Sequence, residues 1–119
     1  MTELLFKFPR ENLGEPSVGH PNEERRVEGN PIQRTWDFAQ AASNDVITGV
    51  WESEPGAWLS IKGQAWEFCH ILEGFSVIEE EGKAPVELRA GDTFVMRPGF
   101  VGTWRVVERT RKLYVIKAR

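Results

Sequence analysis

With 119 residues, of which 40% are hydrophobic and 28% are charged, the chain has enough apolar material for one domain with a single core. Its formal net charge of −3 gives no reason to expect a nucleic-acid partner, because proteins that bind nucleic acids usually carry a basic excess. No apolar run approaches the ~20 residues of a membrane-spanning helix, and Lys7 and Pro9 interrupt the only apolar stretch near the N-terminus. A single cysteine, Cys69, excludes an intrachain disulfide. We therefore expect a cytoplasmic protein without a nucleic-acid or membrane partner.

The first 31 residues predict an extended N-terminal arm. Residues 3–8 alternate, with Leu4, Phe6 and Phe8 on one side, and this pattern predicts a short strand. Residues 9–31 are rich in glycine and proline and bury little. Two interpretations remain open for this segment: a solvated leader, or an arm that packs on a neighbouring subunit.

Residues 32–119 predict a domain of short strands. Expected strands are 33–38, 46–52, 57–62, a strand from 66 that ends in a turn at Gly74, and then 75–80, 86–88, 93–96, 102–107 and 113–116. A helical turn is expected over 37–44, with Asp37 as its cap. Many short strands with glycine and proline between them indicate an all-β antiparallel sandwich or barrel.

Metal-binding side chains are scarce in this sequence. Only two histidines, His20 and His70, accompany the single cysteine. A site with three histidine ligands, or a cysteine-rich zinc site, cannot be built from one copy of the chain. A glycine-rich phosphate loop and a Gly-x-Ser-x-Gly nucleophile motif are also missing from the sequence.

Glu67 stands near the start of the strand at 66. A carboxylate inside a buried strand costs free energy unless another group pairs with it or uses it. Strand alternation implies that, if Glu67 faces the interior, Cys69 and Ile71 do so too, while His70 faces outward.

Four segments, taken in order, resemble the small cupins: Glu67–Gly74 (EFCHILEG), Ala90–Met96 (AGDTFVM), Pro98–Trp104 (PGFVGTW) and Arg111–Val115 (RKLYV). Within the cupins they are similar to the group related to ureidoglycine aminohydrolase and to the cupin of ethanolamine utilisation. The resemblance covers roughly residues 46–117. It implies a double-stranded β-helix, also called a jelly-roll barrel, whose lumen holds the site.

The cupin metal ligands do not carry over to this chain. Glu67 and Gly74 keep their places in the first cupin motif, but Ser60 and Lys62 stand where that motif has histidines. In the second motif, Gly102 stands where a histidine is expected. The resemblance therefore implies a cupin barrel for which we expect no metal and no other cofactor.

The lumen is the expected site. Its candidate ligand-binding residues are Ser60, Lys62, Glu67, Cys69, Trp104 and Trp58, with Phe94 or Met96 as further wall. Glu67 is also the candidate catalytic acid or base, because burial raises the pKa of a carboxyl group toward neutrality. Gly102 is expected to open space beneath Trp104 and so to mark the mouth of the pocket.

Each of these candidates also has a structural interpretation. Glu67 can simply pair with Lys62, Cys69 can be a small buried hydrophobe, and Trp104 can be core wall. His70 is interpreted as a packing or interface residue. Arg109, Arg111 and Lys112 are interpreted as ordinary surface charge.

We expect a small-molecule-binding cupin, and three alternatives remain open for its function. The first is a metal-independent enzyme acting on a small nitrogenous or carboxylate metabolite. The second is a non-catalytic module that senses or carries a ligand, and the third is a protein-interaction module. We also expect a homodimer to which the N-terminal arm contributes, because exposed sheet edges are usually covered.

Overall fold

The computed structural model describes residues 4–119. Within this range the strands are β1 (Ser17–Gly19), β2 (Arg26–Glu28), β3 (Gln33–Ala41), β4 (Val46–Ser53), β5 (Gly56–Ile61), β6 (Trp66–Glu79), β7 (Val86–Arg89), β8 (Thr93–Met96) and β9 (Val101–Lys117). Two single-turn 3-10 helices occupy Glu23–Arg25 and Ala42–Asn44. The predicted all-β class is confirmed.

The long strands β6 and β9 organise the sheet. The C-terminal half of β9 pairs with β4 and with the start of β6, while its N-terminal half pairs with β5 and with the end of β6. Every pairing is antiparallel, and the sheet runs in the order β1-β3-β4-β9-β5-β2, with β7 and β8 attached to β6. The sheet curls into the predicted cupin jelly roll, with its inner face toward the lumen.

The predicted turn at Gly74 is wrong, because β6 passes through this residue. Gly74 has φ +96°, and a Cβ atom there would lie 2.0 Å from the Arg109 carbonyl oxygen of β9. The register between β6 and β9 shifts at Ile71, Glu73 and Phe75. Bulges of this kind bend a strand without ending it, because the pairs on either side persist. The predicted strand from 66 to Gly74 and the predicted strand 75–80 are therefore one strand, β6, and the predicted strands 102–107 and 113–116 are one strand, β9.

The N-terminal segment differs from its prediction. Residue 3 of the predicted strand 3–8 lies outside the described residues, and 4–8 form no strand. Phe6 and Phe8 instead pack against Phe38, with ring centroids 6.0 and 5.2 Å from it. Within the predicted arm, β1 pairs with β3 and β2 pairs with β5. The arm therefore supplies the outermost strands of this sheet, which is how an exposed edge is commonly covered.

The predicted helical turn over 37–44 is also mostly wrong. β3 continues to Ala41, and Asp37 lies inside that strand rather than capping a helix. Only Ala42–Asn44 form a turn, and it is not a regular helix, because Ser43 and Asn44 have positive φ angles of 56° and 60°. The pairing of β3 with β4 satisfies the backbone groups that a short isolated helix would leave exposed.

The alternation predicted for β6 and β9 is confirmed. Cys69 and Ile71 are fully buried, and His70 is not. Trp104 and Val106 are buried on the inner side of β9. Together with Ile78, Leu88 and Met96, these side chains form the core. Among residues 4–119, no helix has the length and apolar character needed to cross a membrane.

Candidate functional site

A cavity of about 280 Å³ opens between the strands of the barrel. Of the residues predicted for the site, Trp58, Ser60, Lys62, Glu67 and Trp104 line it. Cys69 lies beside the cavity and contacts Glu67 rather than the open space. Several lining residues were not predicted from the sequence. The polar and aromatic ones among them are Gln33, Thr35, Asp37, Trp51, Lys112 and Tyr114.

Glu67 lies at the floor of the cavity with both carboxylate oxygens occupied. Its side chain is 3% exposed. Lys62 Nζ donates to Oε1 at 2.5 Å, and Lys112 Nζ donates to Oε2 at 2.7 Å. The Cys69 thiol also donates to Oε2, at 3.1 Å. The two ammonium groups and the carboxylate, which we call the Lys–Glu–Lys triad, carry a net charge of +1.

The interpretation of Lys112 as surface charge is wrong, because its side chain is only 9% exposed. Apart from the exposed Glu108, the even-numbered residues of β9 from Gly102 to Tyr114 are buried, and Lys112 is one of them. This alternation is visible in the sequence, but the sequence predicts 102–107 and 113–116 as separate strands. The alternation is therefore not carried across 108–112, and the inward position of Lys112 is not predicted.

Lys112 and Lys62 lower the pKa of the Glu67 carboxyl group instead of letting burial raise it. Burial alone would raise the pKa of this carboxyl group, but the charges of Lys112 and Lys62 and their hydrogen bonds outweigh burial and lower the pKa to about 2. The expected rise toward neutrality is therefore wrong. Glu67 is ionised at neutral pH and is a poor proton donor.

In contrast to Glu67, its neighbours Cys69 and Lys112 are held in their protonated forms. Burial raises the pKa of the Cys69 thiol to about 12, and the adjacent Glu67 carboxylate adds to the effect. Burial disfavours the Lys112 ammonium, but its interactions with Cys69 and Glu67 prevail and raise its pKa. Since a reactive cysteine must be a thiolate, the interpretation of Cys69 as a small buried side chain is favoured over a nucleophile.

Three tryptophans form one wall of the cavity. Trp58 and Trp104 are stacked with their centroids 6.3 Å apart, and Trp51 lies edge-on to both, at 5.8 and 5.6 Å. Lys112 Nζ lies 4.6 Å from the ring centroid of Trp51 and 4.5 Å from that of Trp104. Cation–π contacts therefore help to hold Lys112 in place. Trp104 is 2% exposed, so Trp51 and Trp58 provide the accessible aromatic surface.

The cavity does not open at Gly102, contrary to expectation. A Cβ atom at Gly102 would lie 2.8 Å from the ring of Phe100, and Gly102 is not part of the lining. The Phe100 ring takes up the space that a histidine side chain would need. The most exposed lining residue is Asp37 on β3, which places the mouth on that side of the barrel.

Tyr114 crosses strand β4 to donate a hydrogen bond from its hydroxyl to Asp37 Oδ1. Gly49 of β4 makes this contact feasible, because a Cβ atom there would lie 2.7 Å from the Tyr114 hydroxyl and 2.0 Å from the Trp36 carbonyl oxygen. Burial and the neighbouring Asp37 raise the pKa of Tyr114. Asp37 is therefore anchored at the mouth by a neutral phenol.

The residues at the cupin metal positions do not fit a metal ion. Ser60, Lys62 and Gly102 replace the histidines, and Glu67 already accepts hydrogen bonds from two ammonium groups. A divalent cation at Glu67 would meet the positive charge of both lysines. Among the described residues, no group of three or more histidine, cysteine or acidic side chains is arranged to hold a metal.

The other polar candidates lie away from the cavity. His70 is on the outer face, where its Nδ1 is 2.9 Å from Thr93 Oγ1. Arg111 is not loose surface charge, because its guanidinium donates to the buried Glu52 at 2.7 and 3.0 Å. Arg109 and Arg34 also pair with Glu52. This network ties β3, β4 and β9 together.

Comparison with known proteins places this chain among the cupins. The family model described as EutQ-like cupin domain matches residues 40–114. Among curated proteins, no sequence matches the chain.

Solved structures share the fold at low sequence identity. A protein of unknown function from Pseudomonas syringae pv. tomato is 21% identical with a TM-score of 0.78, over 89% of this chain and 46% of that one. The Clostridium difficile EutQ protein is 20% identical with a TM-score of 0.65, over 86% of this chain and 74% of its own. A predicted oxalate decarboxylase from Thermotoga maritima is 20% identical with a TM-score of 0.65, over 87% and 91%. The chain thus spans about half the length of the Pseudomonas protein.

Proposed function

This chain belongs to the EutQ-like cupin domain family, and on that premise we propose that its barrel binds a small organic anion at Lys62 without transforming it. The observation that carries the proposal is the Lys–Glu–Lys triad. It places a net positive charge at the floor of a cavity that is open to small molecules.

Lys62 is the triad member best placed to meet a ligand. Lys112 is enclosed by Glu67, Trp51 and Trp104. In the part of the chain that the structure describes, the Lys62 ammonium group makes one hydrogen bond, to Glu67, whereas such a group has three donors. Lys62, directly after β5, and Ser60, near the end of β5, both line the cavity. A ligand carboxylate would accept charge-assisted hydrogen bonds there.

The protonation states favour binding over acid–base catalysis. An efficient general acid or base has a pKa near the working pH. The pKa of Glu67 is about 2 and that of Cys69 is about 12, far from neutral on either side. Glu67 therefore serves to hold the two lysines in position, and its predicted catalytic role remains untested.

The dimensions of the cavity limit the ligand to a small metabolite. Its volume of about 280 Å³ lies near the lower end of the range for small-molecule sites, roughly 300–1,000 Å³. Trp51 and Trp58 supply an apolar surface for the carbon skeleton, and Lys62 with Ser60 supplies the polar anchor. A polar anchor in an aromatic wall is typical of such sites.

Titration of the protein with acetate, propionate, butyrate and benzoate, followed by tryptophan fluorescence, tests the proposal. At least one carboxylate should bind saturably, and Lys62→Met should weaken it about tenfold or more, because a charge-assisted hydrogen bond is lost. Lys62→Arg should retain part of the affinity. The matched control is Lys83→Met, which removes an exposed lysine paired with Glu80 and should leave binding unchanged.

Two results would overturn the proposal. The first is failure of every carboxylate to bind, or binding that Lys62→Met leaves intact. The second is steady turnover of a bound carboxylate that disappears in Glu67→Gln, which would favour the enzyme alternative. Native mass spectrometry of freshly purified protein would also reveal any ligand that co-purifies.

A further inference from the structure

We propose that the ligand is zwitterionic, with its carboxylate at Lys62, directly after β5, and a protonated amine at Asp37 on β3. This inference rests on the proposed function and adds the second recognition group. It assigns Asp37, together with the polar wall of β3, to ligand binding.

Two walls of the cavity come from strands far apart in the sheet. Gln33, Thr35 and Asp37 alternate along the inner side of β3, and Ser60 near the end of β5 and Lys62 directly after it line the opposite wall. In the sheet order, β4 and β9 stand between these strands. The curl of the sheet therefore brings two separate polar surfaces to the same cavity, and a ligand between them has two different walls to contact.

Several polar side chains on these walls have hydrogen-bonding capacity to spare. Over residues 4–119, the side chains of Gln33, Thr35 and Ser60 take part in no hydrogen bond with the protein, although each lines the cavity. Asp37 accepts from the Tyr114 hydroxyl through Oδ1 and has no ion-pair partner in the same range. These groups are available to a bound molecule.

The charges of the cavity are separated in space. The floor carries the net +1 of the Lys–Glu–Lys triad, and the exposed mouth carries the carboxylate of Asp37. Tyr114 fixes the Asp37 carboxylate and, as a neutral group, leaves its charge uncompensated. The cavity is therefore dipolar, and a dipolar ligand has one favoured orientation in it.

This charge arrangement discriminates among ligand classes. A second anionic group on the ligand would approach Asp37 and be repelled, and an amine without a carboxylate would meet Lys62. A molecule with one carboxylate and one ammonium complements both ends. Specificity that arises from repulsion of the wrong charge as well as attraction of the right one is common in binding sites.

A set of matched probes tests the inference. Glycine, β-alanine and γ-aminobutyrate are compared with acetate, propionate and butyrate, which lack the amine, and with methylamine, ethylamine and propylamine, which lack the carboxylate. Affinity is read from the indole N–H signals of Trp51 and Trp58 in ¹⁵N-labelled protein. The Trp36 signal is the internal reference, because its indole donates to the Gly14 carbonyl away from the cavity.

At least one amino acid should bind about three- to tenfold more tightly than the carboxylate of the same chain length. Asp37→Asn should remove this difference while leaving the affinity for the plain carboxylate unchanged or higher. Asp37→Glu should keep part of the difference. Equal affinity for the two classes, or a difference that survives in Asp37→Asn, would overturn the inference and leave the proposed function standing. Binding of the amines alone, or of no probe, would overturn both.

Discussion

Lys112 Nζ lies 2.7 Å from Glu67 Oε2 at the floor of the barrel, although 45 positions separate the two residues in sequence. Lys62 takes the other oxygen of the same carboxylate. The negative charge of the buried Glu67 carboxylate is therefore fully compensated only when both lysines are present. Stability, titration and ligand binding all depend on this arrangement.

Replacement of Lys112 by methionine should destabilise the fold by about 3–5 kcal/mol, because it leaves a buried carboxylate with one partner fewer. Urea unfolding followed by circular dichroism measures the change. Lys83→Met, at a lysine whose side chain is 67% exposed, should cost at most about 1 kcal/mol. A second test combines Lys112→Met with Glu67→Gln, which should recover part of the loss because the uncompensated charge is removed. Similar costs for Lys112→Met and Lys83→Met would contradict the prediction.

Stability should fall in acid because of Glu67. The pKa of this group is lowered on folding from 4.5 to about 2, so its contribution is present above pH 4.5 and is lost as the pH falls through that interval. The contribution corresponds to roughly 3 kcal/mol. Unfolding free energies measured between neutral pH and pH 2 should decline less steeply in Glu67→Gln than in the original protein. Parallel curves for the two proteins would show that Glu67 titrates normally.

Cys69 should be unreactive in the folded protein. Its thiol is fully buried, donates to Glu67 and has a pKa raised to about 12. Ellman's reagent at pH 8 should therefore label native protein slowly and denatured protein at once. The denatured sample is the control for reagent and thiol content. Rapid labelling under native conditions would show that the thiolate forms and that Cys69 is accessible.

Metal removal should leave the protein unchanged. Ser60, Lys62 and Gly102 replace three cupin ligands, and one carboxylate cannot hold a transition metal alone. Dialysis against EDTA should not alter the melting temperature, and elemental analysis should detect no stoichiometric metal. About one zinc, iron, manganese or nickel ion per chain after dialysis would refute this prediction.

We predict a homodimer that depends on the N-terminal arm. Leu4 and Leu5 are 102% and 82% exposed, which is unfavourable for apolar side chains that have no partner. Light scattering should give the dimer mass for the whole chain and the monomer mass after deletion of residues 1–8. Deletion of residues 1–31 should also cause aggregation, because it removes β1 and β2 from the edges of β3 and β5. A monomeric mass for the whole chain would be decisive against the dimer.

The sequence by itself determined the β class and, through its resemblance to the cupins, the barrel. It also determined the inward-facing residues at the start of β6 and at the N-terminal end of β9, but not the inward position of Lys112. Neighbouring side chains in a strand point to opposite sides, so residues two apart share a face. This alternation placed Glu67 and Cys69 together on the inner face of one strand, and Trp104 and Val106 together on the inner face of another. The interpretation of Glu67 as a partner of Lys62 was also within reach, since both fall at inward positions near one another.

Only the tertiary structure decided what surrounds Glu67. Lys112 reaches Glu67 because the C-terminal half of β9 pairs with the start of β6, which places Lys112 opposite Ile71, and no local pattern reports such a long-range register. The direction of the pKa change depends on that contact: burial alone would raise the pKa, and two nearby cations lower it. In the same way, Phe100 fills the space at Gly102, so the mouth lies beside Asp37. Side-chain volumes and charges from distant strands set the site, and these meet only when the sheet curls.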